Sequence, residues 1–319
     1  SMSEKVLEFK SERDFHKLYC EAPENLKAIE KSLGVNLVAR GNLLKMSGGE
    51  KSLNQCEELF KLLELGREQG MIAKKSDFRR FLDKVSKGRG KELSDLLNDP
   101  LVLKIRKKSV VPRNLGQRRF LDLILRHDLV FGIGPAGTGK TFLAMIAALH
   151  SLLEGKVQRI VLARPAVEAG EALGFLPGDL EEKLLPYLRP LYDAMDEVLG
   201  PVEARKLVET GVVEIAPLAY MRGRTLGKCF ALLDEAQNTT RSQMMMFLTR
   251  LGEGSKMVVT GDLTQIDLPP REESGLVEAR RLLKKVSGLH FHEFDHDDVV
   301  RHPLVSAIIS AYQPPPINN

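Results

Sequence analysis

Val130-Phe-Gly-Ile-Gly134-Pro-Ala-Gly-Thr-Gly139-Lys140-Thr141-Phe142-Leu-Ala-Met145 decides the fold. Its middle, Gly134 to Thr141, has the spacing G-x-x-x-x-G-K-[ST]. An apolar run precedes it, and a helical pattern continues after it to Leu153. Strand, glycine-rich loop and helix is the context a phosphate-binding loop needs. Backbone N–H groups of Gly134, Pro135's neighbours, Ala136, Gly137, Thr138 and Gly139 can turn inward around phosphate oxygens. Lys140 then reaches the β- and γ-phosphates, Thr141 offers a hydroxyl to Mg²⁺, and Phe142 opens the helix whose positive end faces the anion. A competing dinucleotide fingerprint, Gly132-x-Gly134-x-x-Gly137, lies in the same stretch. It needs an acid at the end of the second strand. Glu154 instead precedes Gly155, ahead of the next apolar run, which ends in Arg164-Pro165. That reading also leaves Lys140-Thr141 without a purpose.

Five more short apolar runs follow this pattern outward: Ile160–Ala163, Val212–Ala216, Phe230–Asp234, Met257–Gly261 and Leu289–Phe294. Helical stretches separate them, which predicts an α/β fold with a parallel sheet. The run Phe230-Ala-Leu-Leu-Asp234-Glu235-Ala236-Gln237 ends in two acids. P-loop hydrolases hold Mg²⁺ with a carboxylate at a strand end and need a group to orient and deprotonate water. Asp234 is expected in the first role and Glu235 in the second. Thr260, Asp262 and Gln265 close the next run and are expected at the same edge, since ligands bind at the carboxyl ends of parallel strands. Gln265 is the expected sensor of the γ-phosphate or the attacking water. Upstream, Asn114-Leu-Gly-Gln117 offers a Gln able to pair with the N6/N7 edge of adenine, and an Asn-Lys-x-Asp guanine reader is absent. The expected nucleotide is therefore ATP.

The amino-terminal residues 5–70 read as a small α+β unit. A helix starts at Pro23-Glu24 and stops at Gly34. A hairpin turns at Gly41-Asn42. A second helix from Glu50 carries Leu53, Cys56, Leu59/Phe60 and Leu63 on one face. The element order is KH-like, but no G-x-x-G loop lies between helices, so the loop that clamps nucleic-acid backbone is missing. Residues 71–112 have weaker periodicity and read as a basic linker with short helices. Residues 113–313 form the P-loop region, and 314–319, Pro-rich, are expected to be disordered.

The chain of 319 residues carries a net charge of +4, unevenly. Residues 71–126 hold sixteen Lys/Arg against six Asp/Glu, a local +10, which leaves −6 on the remainder. Such a segment is a candidate polyanion surface. Lys74, Lys75, Arg79, Arg80 and the 104–108 cluster would contact phosphates, with Arg222 and Arg224 as the second candidate surface. Aromatic stacking partners near it are scarce, which favours backbone contact over base readout. No apolar run approaches a membrane span, and the amino terminus lacks the apolar core of a signal peptide. Three scattered cysteines fit a reducing compartment, so a cytoplasmic location is expected.

Gly-Pro-Ala-Gly-Thr-Gly-Lys-Thr at 134–141, residues 163–183, Leu-Leu-Asp-Glu-Ala-Gln-Asn at 232–238 and Thr260-Gly-Asp-Leu-Thr-Gln-Ile-Asp-Leu-Pro together resemble the PhoH family of bacterial P-loop ATPases, YbeZ type. The resemblance extends over nearly the whole chain. It implies a RecA-like core related to superfamily 1 helicases, Mg²⁺-dependent ATP hydrolysis, links to RNA metabolism, phosphate-starvation regulation in some bacteria, and partnership with the YbeY endoribonuclease. It also implies that Asp234 and Glu235 are the Walker B pair, that Gln265 is the motif III residue, and that Arg164 and Arg301 are further basic members. A second reading is a nucleotide-switched module that recruits an endoribonuclease without motor activity.

Only one RecA-like sheet fits after Pro112, so the face opposite the nucleotide must come from elsewhere. Self-association as a ring, a hexamer being the expected form, would supply it. Arg301 is the candidate finger in trans; a contact in cis or a structural ion pair is the alternative. The proline-bearing helices at 175–210 are expected to form a lid or subunit contact. His290, His292, His296 and His302 near several acids match no standard metal spacing. Cys229 is expected buried and inert, and Met244–Met246 to lie on a helix.

Overall fold

The computed structural model describes residues 2–72, 74–112, 114–165, 180–295 and 298–299, with isolated positions between 304 and 312. It divides into two compact units. The first contains residues 1–102 and 111–119, and the second 103–110 and 120–319.

The first unit begins with β1 (Met2–Glu8), α1 (Glu12–Leu18), α2 (Pro23–Leu33), β2 (Asn36–Arg40), β3 (Leu43–Gly49) and α3 (Glu50–Glu68). The strands form an antiparallel sheet in the order β1-β3-β2. Leu44 and Met46 of β3 point inward, alternating with exposed Leu43 and Lys45, the period-2 pattern of a sheet with one covered face. Pro23 at the first turn of α2 and Gly34 in a left-handed cap at φ 67° mark both ends of that helix. The sequence reading contains no α1. Only Phe15 and Leu18 are buried over its seven residues, too few to show periodicity, and Ser11 capping Asp14 N is its local signal.

Residues 71–112 hold the short helices expected there, but these pack into a core, and a hairpin follows them. They contain α4 (Lys75–Ser86), α5 (Gly90–Leu97) and the hairpin of β4 (Leu103–Ile105) with β5 (Lys108–Val110). Phe78, Phe81, Leu82, Val85, Leu93 and Leu97 are buried in the same core as Phe15, Phe60 and Leu63. High charge hides this apolar stripe in the sequence. Much of that charge is spent within the fold, in pairs Lys75–Glu24, Lys84–Glu92, Lys87–Asp83 and Arg89–Glu92. The hairpin belongs to the second unit, where Leu103 and Ile105 are buried.

The second unit is a six-stranded parallel sheet with helices, a RecA-like P-loop architecture. After α6 (Leu115–Arg126), which starts in the first unit, come β6 (Leu129–Ile133), α7 (Lys140–Leu153), β7 (Arg159–Arg164), α8 (Leu180–Leu199), α9 (Pro201–Glu209), β8 (Val213–Pro217), β9 (Cys229–Leu233), α10 (Arg241–Leu248), β10 (Lys256–Gly261), α11 (Gly275–Leu283) and β11 (Leu289–Glu293). The order is β11-β6-β10-β9-β7-β8. All six expected strands are present. Their near-continuous apolar runs follow from burial on both faces. Cys229 through Leu233 are all buried, and burial pushes the Cys229 thiol up to about 11. The arrangement places β10 between the P-loop strand β6 and β9. No helix among the described residues is long and apolar enough to cross a membrane.

Candidate functional site

The P-loop leaves the carboxyl end of β6. Gly134 N donates to Gly261 O at 3.0 Å, so the first loop residue is bonded to the last residue of β10. A Cβ at Gly134 would stand 2.6 Å from Cβ of Phe294. Gly137 and Gly139 have φ of 85° and 82°, a region open to glycine at little cost. Gly132, the first glycine of the dinucleotide fingerprint, lies inside β6 against the Phe120 ring, and Glu154 caps the carboxyl end of α7. Neither has a place in a dinucleotide site.

Three strand ends and the first turn of α7 meet at one carboxylate. Asp234 Oδ1 accepts from Thr141 Oγ1 at 2.7 Å and from Thr260 Oγ1 at 2.9 Å. Its Oδ2 accepts from Arg164 Nε at 2.8 Å and lies 2.7 Å from the same guanidinium's Nη2. Asp234 is almost fully buried, which is tolerable because every face of the carboxylate is hydrogen-bonded. Arg164 also lies 3.7 Å from Glu235 Oε1 and donates to Tyr187 O of α8. Thr141 and Asp234 together form an oxygen-rich pair of the kind Mg²⁺ takes.

Lys140 donates to Pro135 O at 3.2 Å. Burial holds its ammonium below the usual lysine range, against the pull of Asp234, Asp262 and Glu235. The cationic form is the one a phosphate would favour. Glu235 sits in the left-handed region at φ 55°, ψ 38°, and is half-exposed as a side chain. Such a conformation costs a non-glycine residue about 1–3 kcal/mol and is found at functional turns.

Asp262, Gln265 and Gln117 have local partners of their own. Asp262 turns back on its own loop, accepting from Thr264 N at 2.9 Å and Thr264 Oγ1 at 2.7 Å. Gln265 is exposed, and its tie to the site is its main-chain carbonyl, which accepts from Gln237 Nε2 at 3.3 Å. Gln117 is buried in the first unit on the opening turn of α6, where its N–H donates to the Asn114 side chain. Asn114 is thus a helix cap. Arg301, His296, His302, the segment 166–179 within the 163–183 motif and the tail 314–319 lie outside the described residues.

Gln237 is the residue that sequence reasoning passed over. It is fully buried and bonds Glu235 Oε2 at 2.6 Å. The only signal was its position two residues past an acid pair, which has no periodicity behind it. Among the lesser signals, the rings of His290 and His127 lie tilted against each other with centroids 3.6 Å apart, and His292 packs between Phe120 and Phe294. Met244 is buried while Met245 is exposed. Arg224, one of the second candidate polyanion surface, is held by Glu214 through two bonds of 2.8 and 2.9 Å.

The site is therefore of nucleotide-phosphate type: a glycine loop, a half-buried lysine, and a hydroxyl beside a buried carboxylate at one sheet edge. The chain is similar to known proteins over most of its length. A family model described as PhoH-like protein matches residues 109–313. A PhoH-like protein of Bacillus subtilis strain 168 is 49% identical over 287 residues, 90% of each chain. One from Mycobacterium tuberculosis H37Rv is 49% identical over 291 residues, 91% of this chain and 82% of its own. Protein PhoH of Escherichia coli K12 is 37% identical over 272 residues, 81% of this chain and 77% of its own. With the match covering both the P-loop sheet and most of the first unit, the chain belongs to the PhoH family.

Proposed function

We propose that the protein is a Mg²⁺-dependent ATPase that hydrolyses ATP in connection with RNA, in the manner of a helicase-like motor. The observation that carries the ATPase reading is the convergence of Thr141, Thr260 and Arg164 on Asp234, with Glu235 next in the chain. In this reading the P-loop amides and Lys140 hold the β- and γ-phosphates. Thr141 and Asp234 hold Mg²⁺, which supplies charge neutralisation on the phosphates. Glu235 takes the proton of a water whose oxygen attacks the γ-phosphorus as the bond to the β–γ bridging oxygen breaks. Arg164 fixes the direction of the Asp234 carboxylate through its two short contacts to Oδ2.

The RNA part rests on charge. Within the basic segment, Arg106 pairs with Glu203 at 2.6 Å and Lys108 donates to Glu197 O. Lys104 and Lys107 present exposed side chains on the same hairpin, where they would contact the phosphates of a single-stranded polyanion. The ring, the trans role of Arg301, adenine recognition by Gln117 and the YbeY partnership belong to the same proposal and come from the sequence reading. ATP turnover of the purified chain, measured with and without Mg²⁺ and with and without single-stranded RNA, tests it. Turnover that needs Mg²⁺ and rises with RNA is expected. Turnover indifferent to RNA favours the nucleotide-switched recruiting module, and no turnover at all removes the ATPase reading.

A further inference from the structure

The buried amide of Gln237 bridges the turn that carries Glu235 and the loop that leaves β10. Its Nε2 donates to Glu235 Oε2 at 2.6 Å and to Gln265 O at 3.3 Å, while its Oε1 accepts from Asp262 N at 3.1 Å. The amide orientation is determined by chemistry. Two acceptors face the nitrogen and an N–H faces the oxygen, so the reverse placement would oppose like groups at all three contacts. The neighbouring Asn238 repeats the link, its Oδ1 accepting from Asp267 N at 2.8 Å. The turn carrying Glu235 is thus stitched at two points to the loop leaving β10.

That loop is in turn tied to the phosphate loop. Gly261, the last residue of β10, accepts from Gly134 N at 3.0 Å. Gly261 must lack a side chain here: a Cβ would come within 2.9 Å of Gln237 Oε1 and 2.4 Å of Leu276 Cδ2. A continuous hydrogen-bonded route therefore runs from Gly134 through Gly261 and Asp262 to Gln237 and Glu235. Glu235 has a strained backbone at φ 55°, and such conformations persist only where surroundings over-determine them.

We infer that Gln237 is a positioning residue: it aims the Glu235 carboxylate and makes that aim respond to the state of the phosphate loop. The inference rests on the ATPase reading above, with Glu235 as the base. Gln237 touches neither phosphate nor water in this scheme and acts through Glu235.

A double-mutant cycle tests it. Gln237→Met keeps the volume and removes the hydrogen bonds. Single-turnover ATP hydrolysis, affinity for a fluorescent ATP analogue and thermal melting are measured for wild type, Gln237→Met, Glu235→Gln and the double variant. The expected result is a kcat about 10–100-fold lower in Gln237→Met, the scale of a small misplacement of a reacting group, with analogue affinity unchanged. In the Glu235→Gln background the same substitution should cost nothing further, because its target is already gone. A Gln237→Met variant that keeps wild-type kcat overturns the inference. So does a loss that multiplies in the double variant, or one in which affinity falls in step with kcat, as a merely structural role would give. Should Gln237→Met fail to fold, Gln237→Glu, of the same shape, replaces a donor with a like charge beside Glu235, and the same cycle is read with a larger expected loss. Failure of the ATPase reading itself looks different: wild type then binds the analogue and hydrolyses nothing.

Discussion

The two units bury polar side chains in contrasting ways. In the first, buried polar residues such as Asn25 and Asp77 finish local structure. Asn25 donates to Tyr19 O at the start of α2, and Asp77 caps α4 by accepting from Lys74 N. In the second, Asp234, Gln237, Thr260 and Asp262 are buried together at the ends of two adjacent strands and bond one another. Most buried polar groups are hydrogen-bonded wherever they lie. When the bonds end a helix, the group belongs to the fold. When several such groups meet at one sheet edge beside a glycine loop, satisfaction is mutual and the cluster is a site.

This contrast can be broken first at the cluster. Glu235→Gln keeps the shape and loses the base, so ATP hydrolysis should fall by about 10²–10⁴ while ATP still binds. Lys140→Ala should lose binding and turnover together. Wild-type turnover in Glu235→Gln would show that the acid beside Asp234 is not the base. No substitution of Asn25 or Asp77 should act on turnover in this way.

The first unit is where a purely structural loss belongs. Phe78, fully buried on α4, should cost about 3–5 kcal/mol when cut to alanine, read by denaturant unfolding of the full chain. If residues 75–97 behaved as a linker, the change would be close to neutral, and the packing described for α4 would be wrong.

Glycines sharpen the comparison. A Cβ at Gly261 would meet Leu276 Cδ2 at 2.4 Å, whereas one at Gly49, in the first unit with φ −69°, would meet nothing within 4 Å. Gly261→Ala should cost about 1–3 kcal/mol through overpacking and slow hydrolysis by displacing Gln237. Gly49→Ala should stay within about 0.5 kcal/mol of wild type. Equal melting temperatures for the two variants would contradict the crowding at the end of β10.

The smallest effect lies away from both. The hydrogen bond from Arg224 holds the Glu214 carboxyl below the usual range. A depressed carboxylate contributes stability above its unfolded pKa of about 4.3 and loses it as pH falls through the lower folded value. Both side chains are about one-third exposed, at 30% and 34%, so screening keeps the contribution below about 1 kcal/mol. Arg224→Gln should flatten that part of the acid unfolding curve. An unchanged curve would make the pair a surface contact without energetic weight.

The sequence alone determined the P-loop, the six strands of the parallel sheet and the acid pair at the end of β9. These signals are local: a glycine spacing set by phosphate geometry, and apolar runs set by burial on both faces. It also determined α2, the hairpin and α3 of the first unit, whose stops and turns rest on Pro23, Gly34 and Gly41-Asn42. Tertiary structure decided the rest. Residues 75–97 look charged in sequence, and only their shared core with α3 shows Phe78, Phe81 and Leu93 as an apolar face. Arg164 and Asp234 are seventy positions apart, and Gln237 and Asp262 twenty-five. Which of several polar residues at strand ends meet depends on strand order and on a turn that holds Glu235 at positive φ. Long-range pairing of this kind leaves no periodicity along the chain, because a hydrogen bond fixes two atoms in space and says nothing about the residues between them.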